Sequence, residues 1–141
     1  MKQRKAGSPI TLYHFCAAHT LQSILDSGLT LGCTPIWEDG KLRVEEKTQW
    51  LTLDGASSRQ SWDTRIVLPY SRTAYRLTIV IPYNHRKKLI RAPDFMAQFP
   101  GEENQSLIEG WAGSECWYIF RFRGIIPPAW IVGHKRTGEQ P

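Results

Sequence analysis

Cysteine is scarce in this chain: of 141 residues only Cys16, Cys33 and Cys116 carry a thiol. An odd number without a CxxC pair argues against a disulfide framework or a zinc knuckle and fits a reducing compartment. No apolar run approaches the roughly 20 residues that a membrane helix needs. The basic start, Met1 to Lys5, lacks the apolar stretch of a signal peptide, so a cytoplasmic protein without membrane partners is expected. The sequence has no internal repeat, GxSxG elbow, Walker motif or dinucleotide fingerprint, and its four histidines lack metal-ligand spacing, so no metal is expected. A glycosidase pair would need Glu109, Asp54 or Asp63 beside Glu115, and nothing in the spacing fixes those distances.

What is present describes one folded domain over 1–141, with 1–9 and 134–141 as loose tails. Hydrophobic residues make up 41% and charged residues 22%, and six Trp, five Tyr and five Phe give a heavy aromatic load suited to a core. Eighteen Lys and Arg against thirteen Asp and Glu leave a charge of +5. That surplus either solubilises the surface or favours polyanions such as nucleic acid.

Residues 11–15 suit a pleated surface and predict a strand over 10–15. Leu21, Ile24 and Leu25 then follow one helix face, with Thr20 as N-cap, Cys16 or His19 as earlier starts, and Gly28 as a left-handed stop. Gly32, Pro35, Asp39 and Gly40 interrupt 32–48, which holds either a short strand near 42–44 or an ordered loop over a cleft. A second strand is expected over 49–53, and 62–70 is either strand or irregular. The clearest strand is 74–81, with Tyr75, Leu77, Ile79 and Ile81 on one face and Arg76, Thr78 and Val80 on the other. Pro82 ends it. A short strand over 88–91, at most two short helices within 92–111, an aromatic strand over 115–122 and a last strand over 129–132 complete an α+β pattern on an antiparallel or mixed sheet.

Two residues invite a chemical reading. His14 lies between Tyr13 and Phe15, so its side chain points opposite to both. Its neutral ring both donates and accepts, as a satisfied structural group or as a cleft residue. Glu115 follows Gly113-Ser114 at the head of the aromatic strand. It is either a solvated strand-start acid or a carboxylate that stabilises positive charge in a transition state.

Leu12-Tyr13-His14-Phe15, the helix ending Ile24-Leu25-Asp26-Ser27-Gly28-Leu29, Trp50-Leu51-Thr52, and Glu115 leading a strand together resemble the ADP-ribosyltransferase superfamily. The opening resembles its DarT-type toxins, in which a Tyr-His strand precedes a similar Ile-Leu-x-x-Gly-Leu turn. The resemblance implies a split, strongly bent antiparallel or mixed sheet with short helices and NAD+ in its central cleft. It also implies release of nicotinamide and transfer of ADP-ribose to a nucleic acid or protein. His14 would hold the nicotinamide-side ribose, and backbone at His14 or Phe15, next to Tyr13, would clamp the nicotinamide amide. Glu115 would be catalytic, holding the ribose 2′-hydroxyl. Trp50 and Thr52 would form the second motif strand, with Thr52 or a neighbour on ribose. A ring from Trp62, Tyr70 or Tyr75 would stack on nicotinamide, and Arg76 or Arg72 would take the pyrophosphate.

Three departures bear on the acceptor. Cys16 stands where relatives often have threonine, Gly113 replaces the first acid of a Glu-x-Glu pair, and the chain is shorter than typical DarT proteins. The basic balance and the aromatics favour a nucleic acid, though a protein side chain fits as well. The competing class is a non-enzymatic basic protein that binds nucleic acid or inhibits a partner through 117–122 and the Trp50 region. A related scaffold that hydrolyses NAD+ or processes phosphorylated RNA is a third class. A common concave space shared by His14 and Glu115 would separate the enzyme from the binding module.

Overall fold

β1 (Ile10–Cys16) is the strand on which the main sheet of this computed structural model is assembled; the structure describes residues 8–56, 73–109, 117–120 and 124–137. After β1 come a 3-10 turn (Ala18–Thr20) and α1 (Leu21–Ser27), then a hairpin of β2 (Cys33–Glu38) and β3 (Lys41–Glu46), and β4 (Gln49–Thr52). Next are β5 (Tyr75–Ile81), a 3-10 segment (Tyr83–Lys88), β6 (Leu89–Arg91), α2 (Ala92–Met96) and α3 (Glu102–Glu109). β7 (Trp117–Phe120), a 3-10 turn (Pro128–Trp130) and β8 (Ile131–Arg136) close the order. The fold is α+β: a six-stranded sheet, β6-β7-β4-β1-β5-β8, with antiparallel pairing throughout, beside the two-stranded β2-β3 sheet. β6 and β8 lie at opposite edges, so the sheet is open and not a closed barrel.

The two sides of β1 are held very differently. Against β5 it pairs in unbroken register from Ile10↔Ile81 to Cys16↔Tyr75, whereas against β4 it shares only the pair Tyr13↔Thr52. The sheet therefore parts between β1 and β4. Alternation puts Leu12, His14 and Cys16 on one face with Leu77, Ile79, Gln49 and Leu51, and Tyr13 and Phe15 on the other with Arg76, Trp50 and Thr52.

Each face has its own core. Leu12, Leu51, Leu77, Ile79, Ile81, Phe120 and Ile126 are buried on the first, with Leu21, Ile24 and Leu25 of α1 packed against them. The i, i+3, i+4 spacing of those three residues makes α1 a lid for this face, even though none of them is fully buried. On the second face, Ile36, Ala92, Phe95 and Met96 pack with Trp50, Ile90 and Phe99. Asn104 fastens β2 to this layer: it is 1% exposed, accepts from Trp37 N at 2.7 Å and donates to the Trp37 and Phe99 carbonyls at 2.8 Å.

Several expectations need correction. Residues 32–48 form a full hairpin, because Asp39 (φ 55°) and Gly40 (φ 75°) supply the two positive-φ positions that a tight turn matched to strand twist requires. Gly28 ends α1 at φ 82° but ψ −172°, an extended rather than a left-handed helical stop. Its need for glycine is steric as well, since a Cβ there would lie 2.0 Å from the Ile126 carbonyl oxygen. Thr20 makes no capping bond to α1; its hydroxyl donates to Ala17 O at 3.0 Å and steadies the 3-10 turn. The stretch read as a tail from 134 is part of β8 through Arg136, because His134, Lys135 and Arg136 pair with Leu77, Arg76 and Tyr75. Thr137 then ties off the strand by donating to Thr73 O. The readings for 62–70 and for most of 115–122 lie outside the described residues, apart from β7.

Candidate functional site

Where β1 and β4 part, a cavity of about 460 Å³ opens under α1, between the C-terminal half of β1, the 28–31 segment and the start of β4. That volume falls within the roughly 300–1,000 Å³ of small-ligand clefts. Phe15, Ile24 and Leu29 give it apolar walls, and His14, Thr20, Ser23 and Gln49 bring polar groups to it.

His14 bridges the open seam. Its Nδ1 lies 2.8 Å from the Trp50 carbonyl oxygen, and a carbonyl can only accept, so Nδ1 carries the proton and donates. Burial lowers the His14 pKa below the ordinary histidine value, opposed more weakly by that bond, and the ring is neutral at neutral pH. In this tautomer Nε2 is an acceptor.

Gln49 stands on the same face and is 2% exposed. Its Oε1 accepts the Gly32 N–H at 3.0 Å, while Nε2 is buried with no partner. Gly32 permits the approach, because a Cβ there would sit 2.3 Å from Thr48 O and 2.4 Å from Gln49 Oε1. Cys16 is a buried wall residue whose thiol is pushed up in pKa by burial, with the Thr20 hydrogen bond pulling less strongly the other way. Burial thus favours its neutral thiol form.

The sequence-derived candidates divide by sheet face. His14 lines the cavity from the first face, and Phe15, which alternates to the other face of β1, also borders it. Tyr13 and Arg76 meet on the opposite face, with the guanidinium 4.9 Å from the Tyr13 ring centroid and its Nη1 donating to Gly55 O at 3.0 Å. Arg76 Nε is buried without a partner. Trp50 gives its carbonyl to His14 but its indole to packing: Nε1 donates to Thr34 Oγ1 at 3.0 Å, and the ring joins the second core. Thr52 is buried and accepts the Asp54 N–H at 3.0 Å through Oγ1, closing the turn after β4. Tyr75 packs on the first core near His134, with ring centroids 6.5 Å apart. Glu115, Trp62, Tyr70 and Arg72 lie outside the described residues. Gln49 is the site residue that sequence reasoning passed over; its signal was parity, a polar side chain in the same inward-facing register as Leu51.

Among the described residues no group of three or more His, Cys, Asp or Glu is arranged to hold a metal ion, and no helix is long and apolar enough to cross a membrane. No family model, no curated protein and no solved structure matches the chain.

Proposed function

We propose that this chain is an NAD+-dependent ADP-ribosyltransferase that breaks the bond between nicotinamide and ribose and passes ADP-ribose to a nucleic acid or a protein. One observation carries the reading. The stretches that resemble that superfamily occupy adjacent strands: β1 with His14, β4 with Trp50 and Thr52, and β7, which begins two residues after Glu115. The seam between the first two opens beside a cavity of ligand size. A parted sheet with this cavity at its opening is what a split sheet binding NAD+ in its cleft calls for.

The chemistry suits the groups in hand. As the C1′–N bond breaks, its electron pair leaves with neutral nicotinamide and positive charge builds on the ribose. An acceptor oxygen or nitrogen then bonds C1′ and gives up a proton. A neutral His14 with Nε2 as acceptor takes a ribose hydroxyl without adding a positive charge beside the oxocarbenium. Glu115 would hold the 2′-hydroxyl and stabilise that charge, a contact whose loss raises the barrier by about 3 kcal/mol or more.

The binding-module reading draws less support, since Phe120 is buried in the first core and Trp50 is partly buried against the second. The test is incubation with NAD+ alone and with DNA, RNA and cell-extract pools, following nicotinamide and the mass added to each pool. Release that disappears in Glu115→Gln is expected, and the pool that gains mass identifies the acceptor. Neither NAD+ binding nor release with any pool would move the protein to the binding or inhibitory class.

A further inference from the structure

The positive charge of the chain is concentrated in two stretches. Residues 1–8 and 83–91 hold seven of the eighteen Lys and Arg and none of the thirteen Asp and Glu, so the rest of the chain is net acidic, eleven against thirteen. The fold sets Ser8, the last of the first stretch, beside the second: Ile10 pairs with Ile81, and Arg86 Nη1 donates to the Ser8 carbonyl at 3.2 Å. Three residues per turn in the 3-10 segment (Tyr83–Lys88) put His85 and Lys88 on one side. There His85 packs on Trp130 with ring centroids 4.8 Å apart, and Lys88 Nζ stands 5.6 Å from the Phe120 ring centroid. Tyr83, Asn84, Arg86 and Lys87 are left exposed, as is Arg91 of β6. Among the described residues no carboxylate pairs with Arg86, Lys87, Lys88 or Arg91, whereas Arg43 on β3 has both Glu38 and Glu45. A surface that only keeps a protein in solution mixes the two signs, as β3 does. This one holds a single sign against its own repulsion.

We propose that the 83–91 tract is a binding surface for single-stranded nucleic acid, with Arg86, Lys87 and Arg91 on the phosphates and the Tyr83 ring against an unpaired base. The chemistry of the tract selects this partner. Leu89 and Ile90 pack against the two cores, so Tyr83 is the one large apolar group that the tract turns outward. A site for a bilayer surface needs an apolar face to insert, and a protein interface needs an apolar centre. Unpaired cations beside one exposed ring, 59% accessible at Tyr83, match what a single strand offers: a line of phosphates and bases free to stack. A duplex keeps its bases stacked on one another and leaves that ring without a partner. The tract shares no residue with the cavity under α1, and the inference stands apart from the transferase reading.

The test is fluorescence anisotropy of labelled single-stranded RNA, single-stranded DNA and duplex DNA of equal length, titrated with the full chain at salt from about 50 to 200 mM. Thermal melts of the ligand-free proteins serve as the folding control. Wild type is expected to bind the single strands more tightly than the duplex and to lose affinity as salt rises. The double variant Arg86→Gln/Lys87→Gln is expected to bind about tenfold or more weakly, with the slope of log affinity against log salt reduced by about 0.7 for each cation removed. Tyr83→Ala is expected to weaken single-strand binding about fivefold or more and to leave that slope unchanged. Lys135→Gln/Arg136→Gln removes the same charge at the far end of β5, beside Arg76 and Tyr75, and is expected to change affinity less than about twofold. Equal losses in the two double variants would assign binding to diffuse charge and overturn the tract, as would a wild type that binds no oligonucleotide at the lowest salt. A duplex bound as tightly as the single strands, or phosphatidylserine vesicles or polyglutamate bound more tightly, overturns the partner. None of these outcomes bears on the NAD+ reading, whose assay follows nicotinamide and Glu115.

Discussion

The two seams of β1 differ in what holds them. Toward β5 the joint is made by backbone pairing along the whole strand, backed by Leu12, Leu77, Ile79 and Ile81, all 0% exposed. Toward β4 a single registered pair remains, and the next link is a side chain, His14 Nδ1 to the Trp50 carbonyl. Backbone ladders with packed side chains stabilise without offering polar groups to a ligand. Giving up the ladder frees strand groups, and polar side chains then satisfy some of them and face a cavity. Backbone pairing is concentrated in the β1–β5 joint, and the β1–β4 joint is where the proposed function places binding.

Substitutions can break or sharpen that contrast. The largest loss is expected on the closed side: Leu77→Ala empties a fully buried site and should cost about 2–5 kcal/mol in denaturant unfolding. A cost under about 1 kcal/mol would mean the β5 joint does not carry the fold. Gly28→Ala, at the edge of the open side, combines a positive φ with a Cβ driven onto Ile126 O, and a loss of about 2 kcal/mol or more is expected. Full stability in that variant would show that the 28–31 segment can move away from Ile126.

His14→Gln should cost less, about 1 kcal/mol at pH 7.5, because an amide can still reach the Trp50 carbonyl. Its sharper signature is pH dependence. The folded-state pKa of His14 lies below the unfolded value of about 6.5, so the unfolded chain takes up the proton first as the pH falls. The contribution of His14 is complete above that value and drains away toward acid. Wild type should lose more stability between pH 7.5 and pH 5 than His14→Gln does; equal slopes would mean that the ring is not held neutral. The smallest effect is expected far from both seams: at Gly40 no atom stands within 4 Å of an added Cβ, so Gly40→Ala carries only the positive-φ cost of about 1 kcal/mol. It should leave NAD+ binding unchanged.

Much of the frame was legible because period-2 patterns are strong where a strand has one buried face. Residues 74–81 alternate cleanly, and β5 with its inward Leu77, Ile79 and Ile81 follows. The hairpin was obscured for the opposite reason: β3 carries Leu42 and Val44 as exposed residues, 55% and 52%, while Arg43 pairs with Glu38 and Glu45, so no buried apolar face announces it. The Asp39-Gly40 turn between two extended stretches was the better signal. β8 hid in a polar stretch because an edge strand needs only backbone partners, which His134 to Arg136 find on β5. In the site, His14 stood out because a histidine between two aromatics is conspicuous. Gln49 did not, since what makes it unusual is a hydrogen bond to Gly32, seventeen residues away in the chain, and a buried Nε2 that finds no partner. Sequence spacing records neither.

The central claim is that the open seam of β1 is where NAD+ is bound and cleaved. Nicotinamide release from NAD+ by wild type, His14→Ala and Glu115→Gln, each first shown to melt cooperatively, tests it most directly. The account predicts release by wild type, a fall of at least about tenfold in His14→Ala as a positioning contact is lost, and a deeper loss in Glu115→Gln. Release at the wild-type rate in both variants, or none from any of the three, contradicts it.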